Sequence, residues 1–187
     1  NAFLKGAASN GVGKISTTVL IAALAARVLR SHPMLNASAE EDAVRVHSAI
    51  NVAVAMERAG DLITPVLHHA DRTPLADLNR QFLALRQAGQ DRSIKSSQMA
   101  DGTFTVSNLG MYGVDGFTAI INPPNAAILA IGTAEARPVA DANRQLVIRD
   151  RMKVTMSCDH RIVDGASGAE FLKTLRQYVE QPLRTVV

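Results

Sequence analysis

The spacing of apolar residues changes from one segment of this chain to the next, and that change restricts the possible folds more than any other feature. Leu20, Leu24 and Val28 recur at the spacing of one helix face, until His32 and Pro33 end the pattern. Helical spacing returns later in the chain, and short segments between the helices are rich in valine and isoleucine. The sequence predicts two further helices and eight strands, at residues 73–89 and 166–180 and at residues 43–48, 50–56, 62–67, 103–108, 117–121, 126–132, 145–149 and 153–158. Helices and strands joined by short connections predict one domain of the α/β or α+β class.

The second predicted helix carries signals at both of its ends. Thr73 has the side chain of a good N-cap, and Pro74 suits the first helical position because its missing N–H is not needed there. Gly89 stands where a C-terminal cap is expected. Just before this helix, residues 62–67 are predicted as one strand although they contain Pro65.

Composition excludes several classes of function. The net charge of +3 is small and the basic residues are scattered, which argues against nucleic-acid binding. A single cysteine cannot form an intramolecular disulfide and suits a reducing compartment. No apolar run reaches the roughly 20 residues that span a bilayer, and the start has no signal-peptide pattern. We therefore expect no membrane partner and a cytoplasmic location, with the mitochondrial matrix as the alternative.

His160 is the residue with the clearest chemical potential. In the segment MKVTMSCDHRIVDGA it follows a predicted strand and precedes a glycine-containing turn and the last helix. Imidazole titrates near neutral pH, so a histidine held at a strand end can take and return a proton. A single histidine in this position is more often structural. Asp164 could orient the imidazole or could cap the last helix, and the sequence leaves both roles open.

Cys158 lies two residues before His160 and invites a nucleophile interpretation. Strand alternation places Val154, Met156 and Cys158 on one face, which the apolar side chains identify as the core face. The sequence therefore favours a buried structural thiol.

The segment FTVSNLGMYGVDGF contains a second candidate site. Ser107 stands at the end of a predicted strand, where its hydroxyl could donate a hydrogen bond to an oxyanion. Asn108 and Gly110 are candidate substrate contacts, because an amide can bind a substrate and a glycine lets one approach the backbone. The alternative is an ordinary β-turn region.

Two other motifs do not predict sites. The segment SNGVGKIS resembles a phosphate-binding loop, but Ala8 replaces the first glycine and Ile15 replaces the required serine or threonine. His68 and His69 have no cysteine or carboxylate at metal-ligand spacing, so no metal site is predicted. Solvated loop histidines are the favoured interpretation, and a place for one of them in a substrate channel stays open.

Three segments together resemble the catalytic domain of the dihydrolipoamide acyltransferases, the acyl-transferring core of 2-oxo acid dehydrogenase complexes. They are INVAVAMERAGDLITPVLHHAD, GTFTVSNLGMYGVDGFTAIINPPNAAILAIG and SCDHRIVDGASGAEFLKTLRQYVEQP. The resemblance runs from about Lys14 to the C-terminus and is closest to acetyl-transferring members. It implies a chloramphenicol-acetyltransferase-like two-layer sandwich, with a mixed sheet and helices packed on one face. It also implies that residues 1–187 form one catalytic core domain that lacks the family's usual N-terminal helix and strand.

The resemblance implies a role for each candidate residue. His160 would be the general base that deprotonates a thiol of coenzyme A or dihydrolipoamide, Ser107 would hydrogen-bond the oxyanion, and Asp164 would fix the loop. His160 and Ser107 would come from neighbouring subunits of a homotrimer. Coenzyme A and lipoamide would be substrates, with no cofactor bound covalently in this domain.

The resemblance also implies a larger assembly. Trimers would build a cubic or dodecahedral core that works with lipoyl domains, the decarboxylase and dihydrolipoamide dehydrogenase. The C-terminal PLRTVV would contact another trimer or would be a disordered end. Two rival functions are a non-catalytic scaffold of the same fold and an acetyl-CoA-dependent O-acetyltransferase of the chloramphenicol acetyltransferase type.

Overall fold

A computed structural model describes residues 15–58 and 60–181. These residues form three α-helices, α1 to α3, and eight strands, β1 to β8. In chain order they are α1 (Thr17–Leu29), β1 (Ala37–Ala39), β2 (Val44–Val46), β3 (Val52–Arg58), β4 (Asp61–Ile63), β5 (Val66–Leu67), α2 (Leu75–Gln90), β6 (Phe104–Asn108), β7 (Ala127–Ala140), β8 (Leu146–Cys158) and α3 (Gly165–Glu180).

The main sheet is mixed. Its strand order is β4-β3-β6-β7-β8, and β5 pairs with the first part of β3. The central strands β3, β6 and β7 run parallel, while β4, β5 and β8 pair antiparallel with their neighbours. β1 and β2 form a separate two-stranded sheet. Parallel central strands place the ends of β3 and β6 side by side at one edge, where Ser107 lies.

All three helices contribute to one core on one face of the sheet. Val54, Val106 and Leu129 of the parallel strands pack with Phe82 of α2 and Phe171 of α3. Nearly every residue of α1 is buried, because this alanine-rich helix contacts both other helices as well as the sheet. The predicted arrangement of a mixed sheet with helices on one face is confirmed.

The opposite face of the sheet is covered by the connection between β6 and β7. The Thr105 hydroxyl donates to the Asn125 side chain at 2.6 Å, and the Ser157 hydroxyl donates to the Ala119 carbonyl at 2.7 Å. Residues 117–121 were predicted as a strand, and this prediction is wrong. Their backbone crosses the sheet face instead of pairing at an edge, so their apolar side chains do not reflect a strand.

The remaining strand predictions need two corrections. Residues 62–67 form two short strands separated by Pro65, although both strands pair with β3. β7 extends well beyond the predicted 126–132, and the two strands predicted at 145–149 and 153–158 are one continuous strand, β8, which pairs with β7 in a long hairpin. The outer half of this hairpin is mostly exposed on both faces, so no buried face imposed an alternating pattern there.

The ends of α2 differ slightly from the prediction. Pro74 is the N-cap instead of the first helical residue, and the Thr73 hydroxyl donates to the His69 carbonyl at 2.9 Å. Gly89 lies inside the last turn of α2, where a Cβ atom would be 2.9 Å from the Ile63 Cδ1 atom. This glycine therefore allows α2 to approach β4 closely.

Candidate active site

Ser107 lies near the carboxyl end of β6, beside a cavity. Phe104 and Val106 of this strand insert into the core, and Ser107 is in register with Ala55 of β3 and Ala130 of β7. A cavity of about 510 Å³ opens beside Ser107, between the ends of β3 and β6 and the side of α2. Within the described part of the chain, the Ser107 hydroxyl has no hydrogen-bond partner, which leaves it available to a ligand.

Asn108 is held by hydrogen bonds at both ends of its amide. Its Nδ2 donates to the Thr18 hydroxyl of α1 at 2.9 Å, and its Oδ1 accepts from the Gly110 N–H at 2.9 Å. The side chain therefore ties the end of β6 to α1 and to the following turn. This arrangement gives Asn108 a positioning role for Ser107, and its predicted contact with substrate stays a prediction.

Gly110 is required by close packing. A Cβ atom on Gly110 would lie 2.7 Å from the Gly132 carbonyl oxygen of β7. A Cβ atom on Gly132 would in turn collide with the carbonyl oxygen of Asp115. The two glycines let the turn after β6 lie directly on β7. The predicted approach of substrate to Gly110 is not tested by this packing.

His160 lies exposed in the tight turn between β8 and α3. The turn is closed by backbone hydrogen bonds from Ile162 and Val163 to the Asp159 carbonyl, each 3.0 Å long. The Arg161 guanidinium also binds the Asp159 carboxylate, and this hydrogen bonding holds the pKa of Asp159 below its ordinary value. The imidazole is thus presented to solvent by a well-defined loop.

Asp164 caps α3. Its carboxylate accepts a hydrogen bond from the Ser167 N–H at 2.7 Å, as the capping alternative predicts. This hydrogen bond is the main reason why the pKa of Asp164 lies below its ordinary value, and the charge of His160 adds a smaller attraction. Asp164 is therefore an electrostatic neighbour of His160 as well as a helix cap.

Ser107 and His160 do not meet within one protomer. Ser107 is in register with Ala130, which is in register with Thr155 of β8, two strand spacings or about 10 Å away. β8 then runs antiparallel to β6 for three more residues before it ends at Cys158, about another 10 Å along the sheet. The two side chains therefore lie at opposite ends of the sheet.

Cys158 faces the core, as the alternation of β8 predicts. Met156 and Cys158 pack against the buried cluster, and a Cβ atom on Gly168 of α3 would lie 3.7 Å from the Cys158 sulfur. Burial raises the pKa of the thiol, which disfavours the nucleophilic thiolate.

The remaining sequence candidates lie apart from the cavity. His68 and His69 are exposed in the loop before α2, and the His69 Nδ1 atom lies 2.7 Å from the Arg72 guanidinium. Among the described residues, no group of three or more histidine, cysteine and acidic side chains could hold a metal ion. Most of SNGVGKIS and the whole of PLRTVV lie outside the described residues.

Three cavity residues were missed by the sequence reasoning. The Tyr112 hydroxyl donates to the Glu57 carboxylate at 3.2 Å, and both residues line the cavity together with Arg86 of α2. Each belongs to a different element, so no local motif connects them. The only available signal was Tyr112 itself, which stands in the same glycine-rich segment as Ser107.

One solved structure shares the fold at low sequence identity. The chain resembles a chloramphenicol acetyltransferase structure with a TM-score of 0.60 and 17% identity, over 93% of this chain and 81% of that one. At this identity the likeness shows the fold alone. The architecture is therefore the chloramphenicol-acetyltransferase-like fold.

The family follows from a more specific match. The model of the 2-oxoacid dehydrogenases acyltransferase (catalytic domain) family matches residues 2–187, so the chain belongs to this family. One relative is the dihydrolipoyllysine-residue acetyltransferase component of the pyruvate dehydrogenase complex from Rickettsia conorii, 37% identical over 174 residues. The match covers 93% of this chain and 42% of that protein, so the chain spans less than half the length of this relative.

Two solved structures are also similar. One is the cubic core of a pyruvate dehydrogenase multienzyme complex, with a TM-score of 0.89, 27% identity and coverage of 95% of this chain and 74% of that one. The other is the dihydrolipoamide acetyltransferase of Azotobacter vinelandii, with a TM-score of 0.89, 26% identity and the same coverage. It belongs to an investigation of the role of a serine, a histidine and an asparagine in that enzyme's catalytic mechanism. Among the described residues of the present chain, no helix is long and apolar enough to cross a membrane.

Proposed function

We propose that this chain transfers an acetyl group between dihydrolipoamide and coenzyme A, as the catalytic core of a pyruvate dehydrogenase type of complex. Family membership supports acyl transfer. The name of the Rickettsia relative supports the acetyl group and the complex. The Azotobacter structure supports the choice of residues, because its histidine and asparagine are separated by four positions, as are His160 and Asp164.

One observation carries the proposal: a serine with no hydrogen-bond partner among the described residues and an exposed histidine stand at opposite ends of one sheet. Ser107 opens onto a cavity, while His160 projects from a fixed loop with no described hydrogen bond of its own. A site that is shared between protomers needs both features, since each protomer must offer one half of the site to a neighbour. We propose that His160 of one protomer meets Ser107 of the next in a homotrimer.

The proposed reaction is proton transfer followed by acyl transfer. His160 takes the proton of the attacking thiol, and the thiolate adds to the thioester carbonyl. The Ser107 hydroxyl donates to the oxyanion that forms, an interaction that is typically worth roughly 3 kcal/mol in the transition state. The intermediate expels the second thiolate, which takes the proton back from the imidazolium. Asp164 holds the loop that carries His160, because its carboxylate caps α3 directly after that loop.

Larger assembly is part of the same proposal. Coenzyme A and dihydrolipoamide are the substrates, and trimers build a core of cubic or dodecahedral form, as the cubic structure suggests. Lipoyl domains, the decarboxylase and dihydrolipoamide dehydrogenase are the proposed partners. The scaffold alternative gains no support from the site, and the O-acetyltransferase alternative gains only the shared fold.

Turnover of acetyl-CoA with dihydrolipoamide, followed through free thiol, tests the proposal in the assembled full-length protein. We expect His160→Ala to abolish turnover while light scattering shows an unchanged particle. His68→Ala, a substitution of an exposed loop histidine, is the matched control and should keep its activity. Full activity of His160→Ala would overturn the general-base assignment.

A further inference from the structure

One wall of the cavity beside Ser107 is a face of α2. Phe82, Arg86 and Gln90 are spaced by four residues along α2, so they share the helix face that lines the cavity. The rest of the lining from the described residues is apolar, polar or, at Glu57, acidic. Among the described residues, Arg86 is therefore the only cationic side chain that lines this cavity.

No acidic side chain among the described residues forms an ion pair with Arg86. Arg80, on the same helix, forms an ion pair with Asp77, whereas Arg86 forms no ion pair with any described residue. The acidic residue of the cavity, Glu57, accepts a hydrogen bond from the Tyr112 hydroxyl instead. An exposed arginine that lines a cavity and has no ion-pair partner among the described residues fits an anionic ligand.

The position of Arg86 suits a part of the ligand remote from the reacting atoms. Ser107 is in register with Ala55, and the next residue of β3, Met56, is in register with Ile63 of β4. Gly89, one turn after Arg86, packs directly on Ile63. Ile63, the residue that this part of α2 contacts, thus lies two strand spacings from Ser107, about 10 Å away across the sheet. α2 therefore approaches the cavity from the side away from the strand that carries Ser107.

We propose that Arg86 binds a phosphate group of coenzyme A, and that the cavity beside Ser107 receives this substrate. The inference rests on the proposed function and assigns one of its two substrates to this cavity. A guanidinium binds phosphate through two parallel N–H donors. The dithiol end of dihydrolipoamide carries no charge at neutral pH and has no comparable need for an arginine.

The test compares Arg86→Gln with wild type in the assembled full-length protein, using acetyl-CoA and S-acetylpantetheine as alternative donors. S-acetylpantetheine keeps the thioester and its arm but has no phosphate. We expect Arg86→Gln to raise KM for acetyl-CoA about fivefold, the size of an exposed charge contact, with kcat unchanged. KM for S-acetylpantetheine and for dihydrolipoamide should not change. Arg80→Gln is the matched control and should leave every constant unchanged.

Other results would overturn the assignment. An equal rise in KM for both donors would mean that Arg86 shapes the cavity without reading the phosphate. A rise in KM for dihydrolipoamide alone, or no change in any KM, would also contradict the assignment. Calorimetry of free coenzyme A binding to wild type and to Arg86→Gln provides a second readout that does not depend on turnover. If wild type transferred no acetyl group, the proposed function would fail, and weaker coenzyme A binding by Arg86→Gln would still support this site. If coenzyme A bound to neither protein, or bound equally tightly to wild type and Arg86→Gln, the assignment of Arg86 would be refuted.

Discussion

Asn108 offers a quantitative test of how the fold holds Ser107. Asn108→Ala removes two hydrogen bonds of 2.9 Å, one to Thr18 and one from the Gly110 N–H. Each such bond contributes about 0.5–1.5 kcal/mol net, so we expect a loss of about 1–3 kcal/mol in the free energy of unfolding. The end of β6 would also lose its tie to α1. Because an oxyanion donor must be accurately placed, kcat should fall about tenfold to a hundredfold.

The other end of the same sheet region supplies a matched control. Asn125 also makes two side-chain hydrogen bonds, with Thr105 of β6 at 2.6 Å and with the Gly102 carbonyl at 2.7 Å. Asn125→Ala should therefore destabilise the protein at least as much as Asn108→Ala, because Asn125 is more deeply buried. It should leave kcat close to wild type, since it does not touch the end of β6 that carries Ser107.

Denaturant unfolding and steady-state kinetics on the two variants provide the assay, at a temperature where both remain folded. The difference in kcat at similar stability is the decisive quantity. Equal losses of kcat in both variants would mean that general destabilisation explains the effect. An unchanged kcat in Asn108→Ala would show that Ser107 needs no support from this side chain, and either result would refute the reasoning.

Two further predictions concern packing and pH. Gly132→Ala should lower the free energy of unfolding by about 3 kcal/mol or more, because its Cβ would collide with the Asp115 carbonyl. The control Gly165→Ala has open space around it and should be neutral or slightly stabilising. Similar melting temperatures for the two variants would contradict this packing argument. Asp164 has a lowered pKa in the folded state, so its stabilisation is present above the ordinary pKa of 3.8 and is lost as the pH falls below that value. Asp164→Ala should therefore have a lower melting temperature than wild type at neutral pH. Circular dichroism should show that this difference in melting temperature decreases in acid. A difference that is independent of pH would count against the hydrogen bond from the Ser167 N–H to the Asp164 carboxylate.

Local periodicity was enough to predict most of the architecture. The three helices were found because each has a continuous apolar face, and β6 was found because Phe104 and Val106 alternate with polar neighbours. Residues 117–121 misled the prediction because a run of apolar residues resembles a strand even where the backbone crosses the sheet face without strand pairing. Ile120 in this segment is 92% exposed, which no strand pattern anticipates.

Only part of the candidate site could be predicted from the sequence. Ser107 and His160 stand in motifs whose residues are close along the chain, so local spacing and resemblance could identify them. Arg86 and its relation to the cavity depend on how α2 packs against β4. That packing is set by contacts such as Gly89 with Ile63, which involve residues far apart in sequence. The internal role of Asn108 was hidden for the same reason, because its partner Thr18 lies on α1.

Mixed assemblies of two inactive variants test most directly whether His160 and Ser107 act from different protomers. His160→Ala and Ser107→Ala subunits would be co-assembled in equal amounts, and acetyl transfer from acetyl-CoA to dihydrolipoamide would be measured. If each site takes its histidine from one protomer and its serine from the next, about one quarter of the sites should have both residues intact and should restore that share of wild-type activity. Activity no greater than that of the parent variants, in assemblies shown to contain both subunits, would contradict the shared site.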